Sequence, residues 1–206
     1  MQYLRIHNET PQLRLINQAV AIIRSGGVVV YPTDSCYALG CEIGNKSAMD
    51  RIRRIRALDD QHNFTLICRD LSELSTYARV DNRVFRLLKS LTPGPYTFIL
   101  EASREVPRRL QHPKRKSIGL RVPEHPITQA LLEAMGEPMM SVTLTMPGDE
   151  TPLADPEEMS EQLGKLVDLI IDGGWGGYEP STVIDLTGEA PVVVRRGKGD
   201  PSVVEG

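Results

Sequence analysis

The 206-residue chain has three cysteines, one tryptophan, only 5% aromatic residues and no long hydrophobic run. Each shortage excludes something. Cys36, Cys41 and Cys68 cannot pair completely, and the gap between the first two is not that of a zinc ribbon or a thioredoxin motif, so buried free thiols are expected. No stretch approaches the roughly 18 to 20 continuous apolar residues that span a bilayer, and MQYLRIHNET is too polar for a signal peptide, so a cytoplasmic protein without a membrane partner is expected. The aromatics are too few for the stacking stripe with which sheets read single-stranded RNA. His7, His62, His112 and His125 are scattered singly, so no metal site is expected. GxGxxG, GxxxxGK[ST] and GxSxG are all missing; GGWGG at 173–177 has glycines but lacks the lysine and follows the wrong kind of element.

What the chain does have is charge, unevenly placed. The net charge of -3 argues against a protein that coats nucleic acid generally. Yet Arg51, Arg53, Arg54 and Arg56 crowd one segment, and Arg104, Arg108, Arg109, Lys114, Arg115, Lys116 and Arg121 another, while the acids gather between 149 and 172. Such a separation either builds a positive surface suited to phosphates or leaves two solvated faces that never meet.

Periodicity orders the rest. Thr10 and Pro11 read as a helix start, with Leu13, Ile16, Ala19, Val20 and Ile23 on the apolar face and Gly26 and Gly27 at the stop. A strand at 28–31 follows, then a basic helix at 46–57 turning Met49, Ile52 and Ile55 inward. Asp81 is placed to cap a helix to 91 with Val84, Phe85, Leu87 and Leu88 inward. Further strands are expected at 64–68, from 96, and at 117–122, 139–145, 169–172, 182–186 and 192–194, with helices at 126–135 and 156–163. This interleaving predicts one α/β (α+β type) domain over 1–206, a twisted mixed sheet flanked by helices in three layers.

Chemistry is expected where strands end in polar residues. Gly26 to Ile43, GGVVVYPTDSCYALGCEI, runs an apolar strand into a proline-stiffened loop; PTDS alone is an ordinary turn, and its side chains equally suit a polar ligand. Other candidates are Arg54 with Arg56, Thr97, Arg121, Ser141 with Thr143, Ser181 with Thr182, and Arg195. Guanidinium forks and hydroxyls are what phosphate binding requires when no glycine-rich loop supplies backbone amides. Arg54 and Arg56 are two apart on a helix, so both reach one site only if the helix ends there.

In order, GGVVVYPTDSCYALGC, RIRRIRALDDQHNFTLICRDL, TPGPYTFIL, IGLRVPEHP, MMSVTLTMPGD and IIDGGWGGYEPSTVIDLTGEAPVVVRRG resemble the YrdC family of threonylcarbamoyl-AMP synthases over nearly the whole chain. The resemblance implies a nucleotidyltransferase acting in tRNA threonylcarbamoyladenosine formation: threonine and bicarbonate form a carbamate that attacks the α-phosphate of ATP, with Mg2+ accompanying the nucleotide. It implies catalytic roles for Arg54, Arg56 and Ser141, a place for Thr33 at threonine, and substrate contacts from Thr97, Arg121, Thr143, Ser181 and Arg195. Arg54 stands where the family has lysine and Thr143 where it has asparagine. These changes resemble the YciO branch, so weak or redirected synthase activity is expected. A competing expectation, also implied by the resemblance, is a non-catalytic paralogue binding double-stranded RNA or tRNA through Lys114, Arg115 and Lys116.

Overall fold

A computed structural model describes residues 1–60, 62 and 64–205. In chain order the elements are β1 (Gln2–Arg5), α1 (Leu13–Arg24), β2 (Val29–Tyr31), β3 (Ala38–Glu42), α2 (Lys46–Arg56), β4 (Thr65–Ile67), α3 (Leu71–Tyr77) and α4 (Asn82–Leu91). After these come β5 (Tyr96–Glu101), a 3-10 turn (Arg108–Leu110), β6 (Ser117–Arg121), α5 (Pro126–Met135), β7 (Met139–Thr143), α6 (Pro156–Leu163), β8 (Leu169–Asp172), β9 (Thr182–Asp185), β10 (Val192–Arg195) and α7 (Ser202–Glu205).

Local chemistry explains most boundaries. Asn45, Asp70, Asp81 and Asp155 each accept a backbone N–H at the start of α2, α3, α4 and α6, satisfying donors that a helix end leaves orphaned. The α1 start differs from expectation: Gln12 occupies the cap position but its side chain accepts the His7 N–H instead of a helix donor, and Thr10 bonds the His7 ring 2.9 Å away. Phe85, expected inside, is 40% exposed, because Leu88 and Leu91 already fill the buried side of α4.

The strands make one ten-stranded mixed sheet in the order β1-β8-β2-β3-β7-β4-β6-β5-β9-β10. Two of these strands were not anticipated. β1 is a polar edge strand paired in parallel with β8, and β3, ALGCE, consists mostly of small residues without the β-branched signature.

Helices cover the two faces unequally, and that positions the site. On one face Ala48, Met49, Ile52 and Ile55 of α2, Leu74 of α3, Leu88 and Leu91 of α4 and Met159 and Leu163 of α6 pack on strand residues from Val30 across to Ile184. On the other, only α1 and α5 contribute helical residues to the core, through Ile16, Ala19, Val20 and Ile23 and through Ile127, Leu131, Leu132 and Met135. Their strand partners are Val29, Tyr31, Ala38, Ile67, Met139, Leu169 and Ile171. Burying each large aliphatic side chain contributes about 1.5–3 kcal/mol, so this half is held firmly. β5, β6 and β9 contribute nothing to that second core. Their side of the sheet is bare.

Candidate functional site

Above the bare part of the sheet lies a cavity of about 390 Å³, within the range of roughly 300–1,000 Å³ usual for small-molecule sites. Strand register builds its floor. Gly119 of β6 pairs with Thr65 of β4 on one side and Ile99 of β5 on the other, and Thr65 pairs with Ser141 of β7. These four residues make the middle row. Two residues further along β6 stands Arg121, beside Ile67; two residues back stands Ser117. The two ends are about 13 Å apart at the usual rise of a strand. A side chain at Gly119 would intrude: its Cβ would lie 3.2 Å from Thr65 Oγ1.

At the Arg121 end the polar groups are tied together. Arg121 Nη1 donates to Ser35 Oγ at 2.9 Å and Nη2 to Asp34 Oδ1, and Asp34 Oδ2 accepts the Glu124 N–H at 2.9 Å. The pair is withdrawn from water, with side chains 7% and 10% exposed. Burial draws the Arg121 guanidinium down to about 10, with Tyr31 opposing and Arg195 adding to the shift, so it remains charged at neutral pH. Arg195 donates through Nε and Nη2 to the Ser181 carbonyl at 3.1 and 2.8 Å, and Ser181 Oγ shares a hydrogen bond of 2.7 Å with Thr97 Oγ1.

The PTDS loop closes this end. Thr33 Oγ1 donates to the Cys36 carbonyl at 2.7 Å and accepts the Ser35 N–H at 3.1 Å. The 173–177 glycine segment passes directly over it: a Cβ on Gly177 would lie 2.1 Å from the Ser35 carbonyl, so only glycine fits there.

In the middle, Ser141 Oγ is 2.5 Å from the buried Tyr31 Oη. Burial pushes the Tyr31 hydroxyl well above its usual value, so it stays protonated and able to donate to Ser141.

At the Ser117 end, Arg56 Nη1 donates to the Thr143 carbonyl at 2.5 Å. Burial lowers the pKa of this guanidinium, and its Nε, like that of Arg121, is buried without a hydrogen-bond partner. His62, His112 and Arg115 complete the wall.

Thr33, Arg56, Thr97, Arg121, Ser141, Thr143, Ser181 and Arg195 therefore all line one cavity. Arg54 does not. α2 runs to Arg56 before Ala57 turns left-handed, so a residue two positions earlier still lies on the regular helix and faces away, exposed to solvent. Lys114 and Lys116 are also exposed and outside the cavity, whereas Arg115 turns into it. Other basic residues are engaged internally: Arg51 pairs with Asp168 at 2.7 Å, Arg53 pairs with Asp50 and stacks on Phe64, and Arg109 donates to the Gly44 carbonyl.

Tyr31, Thr65, His62 and His112 were not nominated from the sequence as site residues; Asp34 and Ser35 were singled out only as part of the PTDS loop, and Arg115 only as an RNA contact. For the strand residues a signal existed. Leu66, Phe98, Ile118, Leu120, Met140 and Val142 alternate with Thr65, Thr97, Ser117, Gly119, Ser141 and Thr143, a period of two with one side polar or small.

Among the described residues no carboxylate lines the cavity, and no group of three His, Cys, Asp or Glu side chains could hold a metal ion. The wall thus fits magnesium only as a companion of a phosphate ligand. No helix among the described residues is long and apolar enough to cross a membrane.

Fold and site define an α/β protein with an arginine- and hydroxyl-lined pocket. The comparisons give the family: that described as "Telomere recombination", grouping Sua5, YciO and YrdC proteins, matches residues 21–197, and the chain belongs to it. It is 65% identical to the uncharacterized protein YciO of Escherichia coli K12 over 97% of either chain. The crystal structure of E. coli YciO superimposes with a TM-score of 0.95, covering 98% of both chains. A threonylcarbamoyl-AMP synthase of Coxiella burnetii is 30% identical over 84% of this chain and 94% of that protein. P. abyssi Sua5 in complex with L-threonine shares 28% identity with a TM-score of 0.86, over 96% of this chain and 58% of Sua5.

Proposed function

We propose that the cavity binds ATP together with an amino acid, threonine first among the candidates, and forms a carbamoyl adenylate. The amino acid's nitrogen joins bicarbonate carbon with loss of water. The resulting carbamate oxygen attacks the α-phosphorus, the bond to the bridging oxygen of the β-phosphate breaks, and pyrophosphate leaves. Such a reaction calls for positioning and charge neutralisation more than for proton transfer. Arg56, Arg121 and Arg195 supply positive charge, while Ser141, Ser181 and Thr97 supply hydroxyl contacts. Thr33 sits in the wall where the amino acid would lie in this reading. Magnesium would arrive on the nucleotide and share the neutralisation of its phosphates.

The observation that carries this reading is the convergence of eight separated polar residues on one cavity with several arginines and, among the described residues, no carboxylate in its wall. Relatedness to the C. burnetii synthase and to Sua5 bound to L-threonine supports the choice of substrates. The position of Arg54 outside supports the expectation of weak or redirected activity: a charge-assisted contact contributes about 1.5–3 kcal/mol, or roughly ten- to a hundredfold in rate. The test is pyrophosphate release with ATP, bicarbonate and each amino acid in turn, with the adenylate identified by mass. Release that depends on all three is expected; a protein that binds ATP yet releases no pyrophosphate with any amino acid contradicts the reading.

A further inference from the structure

The residues at the Ser117 end of the cavity are unbalanced in charge. Arg56 is half-buried, its side chain donates only to a carbonyl, and its Nε has no partner. Among the described residues, those that line that end with it, His62, His112, Arg115, Ser117 and Thr143, include no acid; Asp59 stands outside the lining and acts on His62. A withdrawn cation without a counterion is costly unless an anion comes to it.

Arg115 reaches this end by a specific local construction. Residues 112–117 form a tight turn in which the His112 N–H donates to the Ser117 carbonyl at 2.8 Å and the Lys116 N–H to the His112 carbonyl at 2.9 Å. Inside the turn, His112 Nδ1 accepts the N–H groups of Lys114 and Arg115 at 3.3 and 3.1 Å. Lys116 completes it at φ 51°, a left-handed conformation that non-glycine residues adopt at some cost. The turn sends Arg115 to the cavity and leaves Lys114 and Lys116 outside. Among the described residues Arg115 has no ion-pair partner.

We infer that Arg115 is the second phosphate-binding cation of the site: with Arg56 it clamps the terminal phosphates of a nucleoside triphosphate at the Ser117 end. It restores from the 112–117 turn the positive charge that Arg54, facing solvent, does not deliver. Guanidinium forks supplied by two separate elements, the end of α2 and the 112–117 turn, suit a diphosphate unit, whose oxygens are spread over two tetrahedral centres. The inference rests on the nucleotide reading of the cavity, but it concerns the polyphosphate alone and is tested separately.

Calorimetric titration of the full chain with ATP, AMP and inorganic tripolyphosphate provides that test, comparing the wild type with Arg115→Ala and with Arg86→Ala. Arg86 is an exposed cation on α4, against the opposite face of the sheet, and corrects for the loss of one charge. Arg115→Ala is expected to weaken ATP and tripolyphosphate about tenfold while AMP changes less than about twofold, and Arg86→Ala to change none of them beyond that. Tripolyphosphate binding that depends on Arg115 in a protein indifferent to ATP would uphold the clamp and sink the nucleotide reading. ATP binding that Arg115→Ala leaves intact, or weakens no more than AMP binding, overturns the clamp, as does a wild type that takes up neither ATP nor tripolyphosphate. Arg115 is exposed, so the variant is expected to melt as the wild type does.

Discussion

Strands β2, β3 and β8 lie in the same sheet as β4, β5 and β6 and turn alternate residues to the same side, yet that side holds two different materials. Under α1 and α5 the strands present Val29, Tyr31, Ala38, Leu169 and Ile171, and the space is a dry apolar core. Beyond the helices they present Thr65, Thr97, Ser117, Gly119 and Arg121, and the space is a cavity. Backbone geometry is common to both, so the difference comes from where the helix layer stops and what the side chains then face. On this side, apolar packing is concentrated in the covered half and the polar groups of the proposed site in the bare half. Tyr31 belongs to both, packed in the apolar core while its hydroxyl meets Ser141.

The sharpest challenge to this division is the Asp34–Arg121 pair, a structural ion pair inside the bare half. Arg121→Ala would leave Asp34 withdrawn from water and without its cation, and a loss of about 3–5 kcal/mol in urea unfolding is expected together with loss of nucleotide binding. Replacing both, Arg121→Met with Asp34→Leu, is expected to recover most of the stability and none of the binding. Recovery of both would show that the pair only holds the loop in place.

Next in size is the contrast between neighbours on α2. Arg56→Ala is expected to lower turnover about ten- to a hundredfold through the loss of one charge-assisted contact, and Arg54→Ala to stay within about twofold. Equal losses in steady-state assays would put Arg54 back at the site and break the assignment of the α2 end.

The smallest effect belongs to the covered half. His125 caps α5, its Nδ1 accepting the Ile127 N–H at 3.1 Å, and burial holds its pKa at about 4 against the ordinary 6.5. The unfolded chain therefore binds a proton before the folded one does as pH falls. This contribution is complete above pH 6.5 and is lost as pH drops toward 4. It amounts to about 1–3 kcal/mol once partial exposure is allowed for. His125→Asn, which keeps a capping oxygen but does not titrate, is expected to flatten the stability curve between these limits. An unchanged acid branch would place the titration elsewhere.

Much of the fold was legible because it depends on local periodicity and capping. The α2 apolar set Met49, Ile52 and Ile55 and the Asp81 cap are written within a few residues of one another. β3 was not legible, because Ala38, Gly40 and Cys41 carry little strand preference and are held by neighbours on both sides. The site was legible residue by residue, through strand-end hydroxyls and arginines, and not in its connections. Asp34 and Arg121 are 87 positions apart, and nothing local announces that one needs the other. The side chosen by Arg115 depends on a turn whose left-handed residue is a lysine, where sequence would ask for glycine.

Methyl NMR during an ATP titration addresses the two-material division most directly. Isoleucine methyls report from both halves: Ile99 from the cavity wall, Ile67 from the border where the cavity meets the covered core, and Ile16, Ile23 and Ile127 from beneath the helices. Shifts at Ile67 and Ile99 with Ile16, Ile23 and Ile127 unmoved are the predicted result. Shifts confined to Ile16, Ile23 and Ile127, or none at saturating ATP, would contradict it.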